Sequence, residues 1–181
     1  ALTKDADGVL NVYAPISKAV IANMERCKVI SRYGIGVDTI DLEAASEHRI
    51  QVTNVTDYGV EEVANHALAL ILSSTRKIVT YHRSIQAGKW DFKVGRPIQR
   101  LSKQTIGLIG FGRIPRLLLT KLLPFGLDVC IYDPYVDPQQ ISRMGARSCS
   151  FQELLKQADY VSIHAPATPD NIHLIGQKEL E

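Results

Sequence analysis

The sequence predicts an α/β fold built on parallel sheets, and three observations predict it. Short β-branched runs alternate with amphipathic helical stretches along nearly all of the 181 residues, the rhythm of strand–crossover–strand units. That rhythm occurs in two series, with an aperiodic stretch at 84–104 between them. One strand-like run, "TIGLIG", ends in glycines that lead directly into a helical pattern. Right-handed crossovers would place the loops after each strand on one sheet edge, where ligands collect.

The first series opens with "GVLNV" (8–12) as a strand and "SKAVIANM" (17–24) as a helix. "KVISR" (28–32) follows as a strand, "DLEAASEH" (41–48) as a helix and "IQVTNV" (50–55) as a strand. The longest helical pattern begins near Glu61. Val60, Val63, Ala64, Ala67, Leu68 and Ile71 repeat at three and four residues and give it one apolar face, while Glu61 and Glu62 suit the positive end of its dipole. Periodicity is then lost through "SIQAGKWDFKVGRPIQRLSKQ", where Gly88, Gly95 and Pro97 mark a junction. Two domains are expected, residues 1–97 and 98–181. In the second series "TIGLIG" is a strand, Arg113 to Leu123 a helix ended by Pro124 and Gly126, and "LDVCIYD" a strand. "SFQELLKQA" is a helix whose Ser150 and Glu153 have capping-box spacing, and "YVSIHAP" is another strand.

Composition narrows the function classes. At 45% hydrophobic and 22% charged residues the chain is ordinary globular material. A net charge of +2, with both signs interspersed, builds no basic stripe, so nucleic acid is not the expected partner. Cys27, Cys130 and Cys149 form no CxxC pair, which fits a reducing cytoplasm, and no metal-ligand constellation is evident. The longest apolar run, "ALALIL" (67–72), is far short of the roughly 20 residues of a membrane span, and no leader pattern opens the chain. Ala1 in place of Met, and the helix-like "GQKELE" at the end, make the chain read as a fragment.

The run Gly110-x-Gly112-x-x-Pro115 follows a strand and enters a helix. In a dinucleotide fingerprint the first glycine makes the tight turn, and the second lets backbone amides approach a pyrophosphate; the third serves helix–strand packing. The first two are present. If Gly112 caps the helix, Pro115 falls in its first turn, where a missing N–H costs little. The amides of Arg113 and Ile114, with the Arg113 guanidinium, would then face an anion. Asp133, 133 − 112 = 21 positions after Gly112, stands where a carboxylate accepts the ribose hydroxyls and disfavours the extra phosphate of NADP. NAD is the expected cofactor; a plain strand-to-helix turn with a solvated aspartate is the competing reading.

Four segments together resemble the D-isomer-specific 2-hydroxyacid dehydrogenase family: "RYGIGVDTIDL" (32–42), "NVTDYGVEEVANHALALIL" (54–72), "GLIGFGRIPR" (107–116) with "YDPYV" (132–136), and "VSIHAPATPDNIHLI" (161–175). The resemblance implies two Rossmann-like or flavodoxin-like domains with parallel sheets, both incomplete here. Residues 1–97 would be the amino-terminal part of a substrate domain and 98–181 the first half of an NAD-binding domain. It implies NAD(H)-dependent hydride transfer on a small D-2-hydroxy acid or 2-oxo acid, phosphoglycerate being one such compound, in a cytoplasmic homodimer.

Residue by residue, Gly34, Ile35 and Gly36 would meet the substrate carboxylate, with Ile35 also near the nicotinamide. Glycines there permit positive φ and an anion nest. Gly110, Gly112, Arg113 and Ile114 would hold the pyrophosphate, Asp133 with Pro134 the ribose, and Ala165 with Pro166 the adenosine half. The family's catalytic arginine, acidic residue and histidine are expected beyond Glu181, so no catalytic residue is assigned. His164 reads as a loop residue, His66 as packing or a helix–helix hydrogen bond, and His48, His82 and His173 as solvated or helix-end residues. Trp90 reads as core or subunit packing. Pro115 and Asn171 depart from the family pattern. An NAD(H)-sensing scaffold of the co-repressor kind uses the same cofactor physics, and turnover separates it from an enzyme.

Overall fold

In a computed structural model, residues 3–166, 168 and 171–180 are described. The chain forms two compact units, one up to Gly59 and one from Val60 onward.

The first unit holds β1 (Gly8–Asn11), α1 (Lys18–Ile21), β2 (Val29–Arg32), α2 (Leu42–Glu47) and β3 (Gln51–Asn54). Its three strands pair in the order β1-β2-β3, all parallel. Ile16, Ile21, Ile30, Ile40, Ala44, Ala45 and Ile50 are buried together. This core exists because α1 and α2 each turn one apolar face to the sheet. Asp41 caps α2, its Oδ1 accepting from the Ala44 amide at 2.9 Å, which satisfies one of the donors that a helix start leaves open.

The second unit begins with α3 (Val60–Thr75) and α4 (Ile78–Gln86). After an irregular stretch come β4 (Thr105–Ile109), α5 (Arg113–Leu122), β5 (Asp128–Tyr132), α6 (Pro138–Arg143), β6 (Arg147–Ser148), α7 (Phe151–Gln157), β7 (Tyr160–Ile163) and α8 (Gln177–Leu180). The strands are parallel in the order β6-β5-β4-β7. Successive strands therefore step to one side of β4 and then, at β7, to the other. The crevice at such a reversal, beyond the carboxyl end of β4, is where open α/β sheets bind ligands.

Strand β4 is buried along most of its length and packs with α3 and α5 in one core containing Ala64, Ile71, Ile106, Leu108, Leu118, Leu119 and Leu122. On the other face, Leu154 of α7 closes over β4 and β5. Gly107 permits this approach, since a Cβ there would lie 2.6 Å from Leu154 Cδ2. Ser150 and Glu153 form the expected capping box, with Glu153 Oε2 accepting from Ser150 N at 2.8 Å and Ser150 Oγ accepting from Glu153 N at 3.2 Å.

The compact units divide at Gly59, because α3 contributes its buried line to the core around α5. Two sequence expectations change. Helix α4 runs to Gln86, so the irregular stretch starts at Ala87 rather than 84. No residue of that helix is fully buried, although Ile78, Tyr81 and Ile85 recur along it at helical spacing. Val63 is 45% exposed, so the apolar face of α3 is wider than the stripe that packs here.

Candidate functional site

The loops at the carboxyl ends of β4, β5 and β7 enclose a cleft of about 360 Å³. Gly110, Phe111 and Gly112 form one wall, Tyr132 to Tyr135 a second, and the run from His164 to Pro166 a third. Ile109, Thr168, Asn171 and Leu174 complete it. Of the sequence-derived candidates, the cleft brings together Gly110, Gly112, Asp133, Pro134, Ala165 and Pro166. Arg113 and Ile114 are not part of its lining; they occupy the first two positions of α5, Arg113 exposed and Ile114 half-buried against the core.

The two glycines do different work. Gly110 has φ +93, and a Cβ on it would lie 3.0 Å from the His164 carbonyl carbon and oxygen. Only glycine fits there without strain. Its amide donates to the Tyr132 carbonyl at 2.8 Å and the His164 amide donates to the Ile109 carbonyl at 2.7 Å, so all three strand ends are laced together. Gly112 has an ordinary extended backbone and caps α5. A Cβ on it would meet nothing within 4 Å. The space next to Gly112 is therefore free of atoms of the described residues and lies at a helix start, where backbone N–H groups lack intrahelical acceptors and favour an anion. Pro115 is buried in the first turn of α5, where its missing donor is tolerated.

Asp133 is half-buried at the end of β5. One carboxylate oxygen accepts from the Phe111 amide at 2.7 Å and the other from the Tyr135 amide at 2.8 Å. A carboxylate offers about four acceptor positions, and the described residues use two of those of Asp133. His164 at the end of β7 is half-buried, its Nε2 3.0 Å from Ser162 Oγ. Burial pushes its pKa below the ordinary 6.5, which favours the neutral ring at pH 7. Asn171 Nδ2 donates to the Pro166 carbonyl at 2.9 Å and ties the third wall.

Sequence reasoning did not single out Phe111, Tyr135 or Leu174 as cleft residues. Phe111 was legible only as the unspecified position between the glycines. Tyr135, 94% exposed, was legible only as a member of the segment "YDPYV".

In the first unit, a cavity of about 220 Å³ is lined by Tyr33, Gly34, Val55 and Tyr58. The loop after β2 is braced by Asn54 Nδ2 donating to the Ile35 carbonyl at 2.8 Å and by the Val55 amide donating to the Gly34 carbonyl at 3.1 Å. The anion nest expected from positive φ is not formed. Neither Gly34 nor Gly36 has positive φ, and the Gly34 amide donates to the Arg32 carbonyl at 2.9 Å. The tight loop consumes that donor, leaving the Ile35 and Gly36 amides without backbone acceptors among the described residues.

The remaining candidates sort simply. His66 is exposed along a groove beside β7 and so is not packed as expected. His48 closes α2, Nδ1 lying 2.9 Å from the Ala44 carbonyl; His82 and His173 are exposed. Trp90 is 90% exposed and is not a core residue. Ala167, Pro169 and Asp170 of the fourth segment, and residues 1, 2 and 181, lie outside the described residues.

Comparison with known proteins gives a consistent result. A family model described as the NAD-binding domain of D-isomer-specific 2-hydroxyacid dehydrogenases matches residues 68–181. A D-3-phosphoglycerate dehydrogenase of Methanocaldococcus jannaschii is 37% identical over 179 residues, covering 98% of this chain and 34% of that protein. A glyoxylate reductase of Thermococcus litoralis is 34% identical, covering 92% of this chain and 52% of that protein. The crystal structure of an Aquifex aeolicus D-lactate dehydrogenase with NAD and lactic acid superposes with a TM-score of 0.89 at 28% identity, covering 99% of this chain and 54% of the other. The chain thus spans about a third to a half of the length of these relatives.

Proposed function

Because the chain belongs to the D-isomer-specific 2-hydroxyacid dehydrogenase family, we propose that this protein is an NAD-dependent oxidoreductase interconverting a small D-2-hydroxy acid and its 2-oxo acid. A model of the family's NAD-binding domain matches residues 68–181. The observation that carries the proposal is the cleft at the β4 glycine turn, with open space beyond Gly112 and a carboxylate 21 positions on at Asp133.

The residues present fit a dinucleotide. The open face of Gly112 and the first turn of α5, with Arg113 and Ile114, are assigned the pyrophosphate. The other acceptor positions of Asp133, beside Pro134, are assigned the ribose hydroxyls, and Ala165 with Pro166 the adenosine half. Ile109, Tyr132 and Leu174 add the apolar surface that a flat base requires. When bound, NAD supplies the hydride-transfer chemistry; this chain's part is to bind it, orient it and select against NADP. Gly34, Ile35 and Gly36 are assigned the substrate carboxylate, through the amides of Ile35 and Gly36. No catalytic acid or base is assigned within these residues.

The domain assignment follows the same proposal, with residues 1–97 belonging to substrate binding and 98–181 to the nucleotide, although the compact units divide earlier. A cytoplasmic location is supported by three free thiols. No helix among the described residues is long and apolar enough to cross a membrane. A homodimer is supported by Trp90 and Phe92, exposed at 90% and 63%, and light scattering tests it.

The decisive assay is NADH oxidation against phosphohydroxypyruvate, glyoxylate, hydroxypyruvate and pyruvate, with NADPH in parallel. Turnover with one of these acids, faster with NADH, is expected. Saturable NADH binding without turnover on any of them would favour the NAD(H)-sensing scaffold instead.

A further inference from the structure

We infer that Arg116, which does not line the cleft, is a positioning residue for the dinucleotide turn. This rests on the proposal that the cleft takes NAD. Phe111 stands between two glycines, and glycines on both sides leave a backbone free to adopt many conformations. Here that freedom is removed at three points. The Phe111 amide donates to Asp133 Oδ2 at 2.7 Å. Its carbonyl accepts from Arg116 Nε at 2.9 Å. Its ring is 1% exposed, inside the core of the second unit.

Arg116 makes a further contact with the same residue. Its guanidinium lies over the Phe111 ring, 4.5 Å from the centroid, a stacking geometry open to a planar cation. Nη2 reaches Gln140 Oε1 on α6 at 3.3 Å, so the group is also tied to the neighbouring helix. One side chain therefore grips both the carbonyl and the ring of the residue between the glycines. The carbonyl carbon of Phe111 belongs to the same peptide plane as the Gly112 amide. Fixing that carbonyl fixes the direction of the Gly112 N–H at the mouth of α5. Preorganised donors raise affinity because less ordering remains to be done on binding.

The test compares the parent with Arg116→Lys and Arg116→Met in calorimetric titrations of NADH, ADP-ribose and adenosine, and in hydrogen exchange of the ligand-free proteins. Loss of a charge-assisted hydrogen bond from the turn predicts about tenfold weaker binding of NADH and ADP-ribose in Arg116→Met, with adenosine unchanged. Arg116→Lys, a cation without the planar fork, falls between. The Phe111 amide exchanges faster in both variants while amides of β5 do not. Parent-like ADP-ribose affinity in a folded variant, equal losses for adenosine, or an unchanged Phe111 exchange rate would each overturn the inference. A parent that fails to bind NADH would instead overturn the proposed function, and this inference with it.

Discussion

At the scale of single residues, the two glycines of the turn separate folding from binding. Gly110→Ala forces a side chain into φ +93 with backbone 3.0 Å away, so a loss of about 1–3 kcal/mol of stability is expected in denaturant unfolding. Asp133 shows how a residue legible in sequence can carry a duty that is not. Its spacing from Gly112 marked it as a ribose acceptor, but spacing says nothing of the Phe111 and Tyr135 amides that it also holds. Asp133→Asn replaces one acceptor oxygen with a donor. A fall of about 1–3 kcal/mol in stability and a reduced preference for NADH over NADPH are expected together, and an unchanged cofactor ratio would remove the ribose assignment.

His164 adds a dependence on pH. Its folded pKa lies below the unfolded value near 6.5 because burial disfavours the charged ring. Between those two values the unfolded chain binds more protons, so stability is full above about pH 6.5 and declines as pH falls through the folded pKa. His164→Gln is expected to flatten that decline in melting curves taken from pH 7.5 to pH 5; a decline as steep as the parent's would contradict it.

At the scale of elements, legibility followed local signals. The capping box of α7 was readable because both of its partners lie within four residues, and Ser150→Ala is expected to cost about 1 kcal/mol in thermal unfolding. The fingerprint turn was readable because its constraints also lie close in sequence. The end of helix α4 was not, because its last three residues, Ser84, Ile85 and Gln86, run straight into the glycine-containing stretch that follows. The loop at Gly34–Gly36 failed differently. Glycine permits positive φ without requiring it, and the bonds from Asn54 and Val55 hold the loop in another conformation.

At the scale of the whole molecule, the two parallel-sheet series were visible from alternation alone, and both sheets formed as that rhythm implied. The boundary between compact units was not visible, because it depends on which core receives α3. Composition at 84–104 marks irregular backbone, whereas contacts divide the chain at Gly59. Strand order was equally hidden: that β7 lies beside β4 rather than beyond β6 is a long-range fact, and it is this order that opens the cleft.

The measurement that tests the central claim most directly is an NADH titration of the parent and Gly112→Val, with circular dichroism on both. A Cβ at Gly112 meets no described protein atom within 4 Å, so both should fold alike. The parent should bind saturably, and the variant should lose at least about tenfold in affinity, the scale of overpacking a fitted site. Equal NADH affinity in two equally folded proteins would mean that the space beyond Gly112 does not hold the dinucleotide.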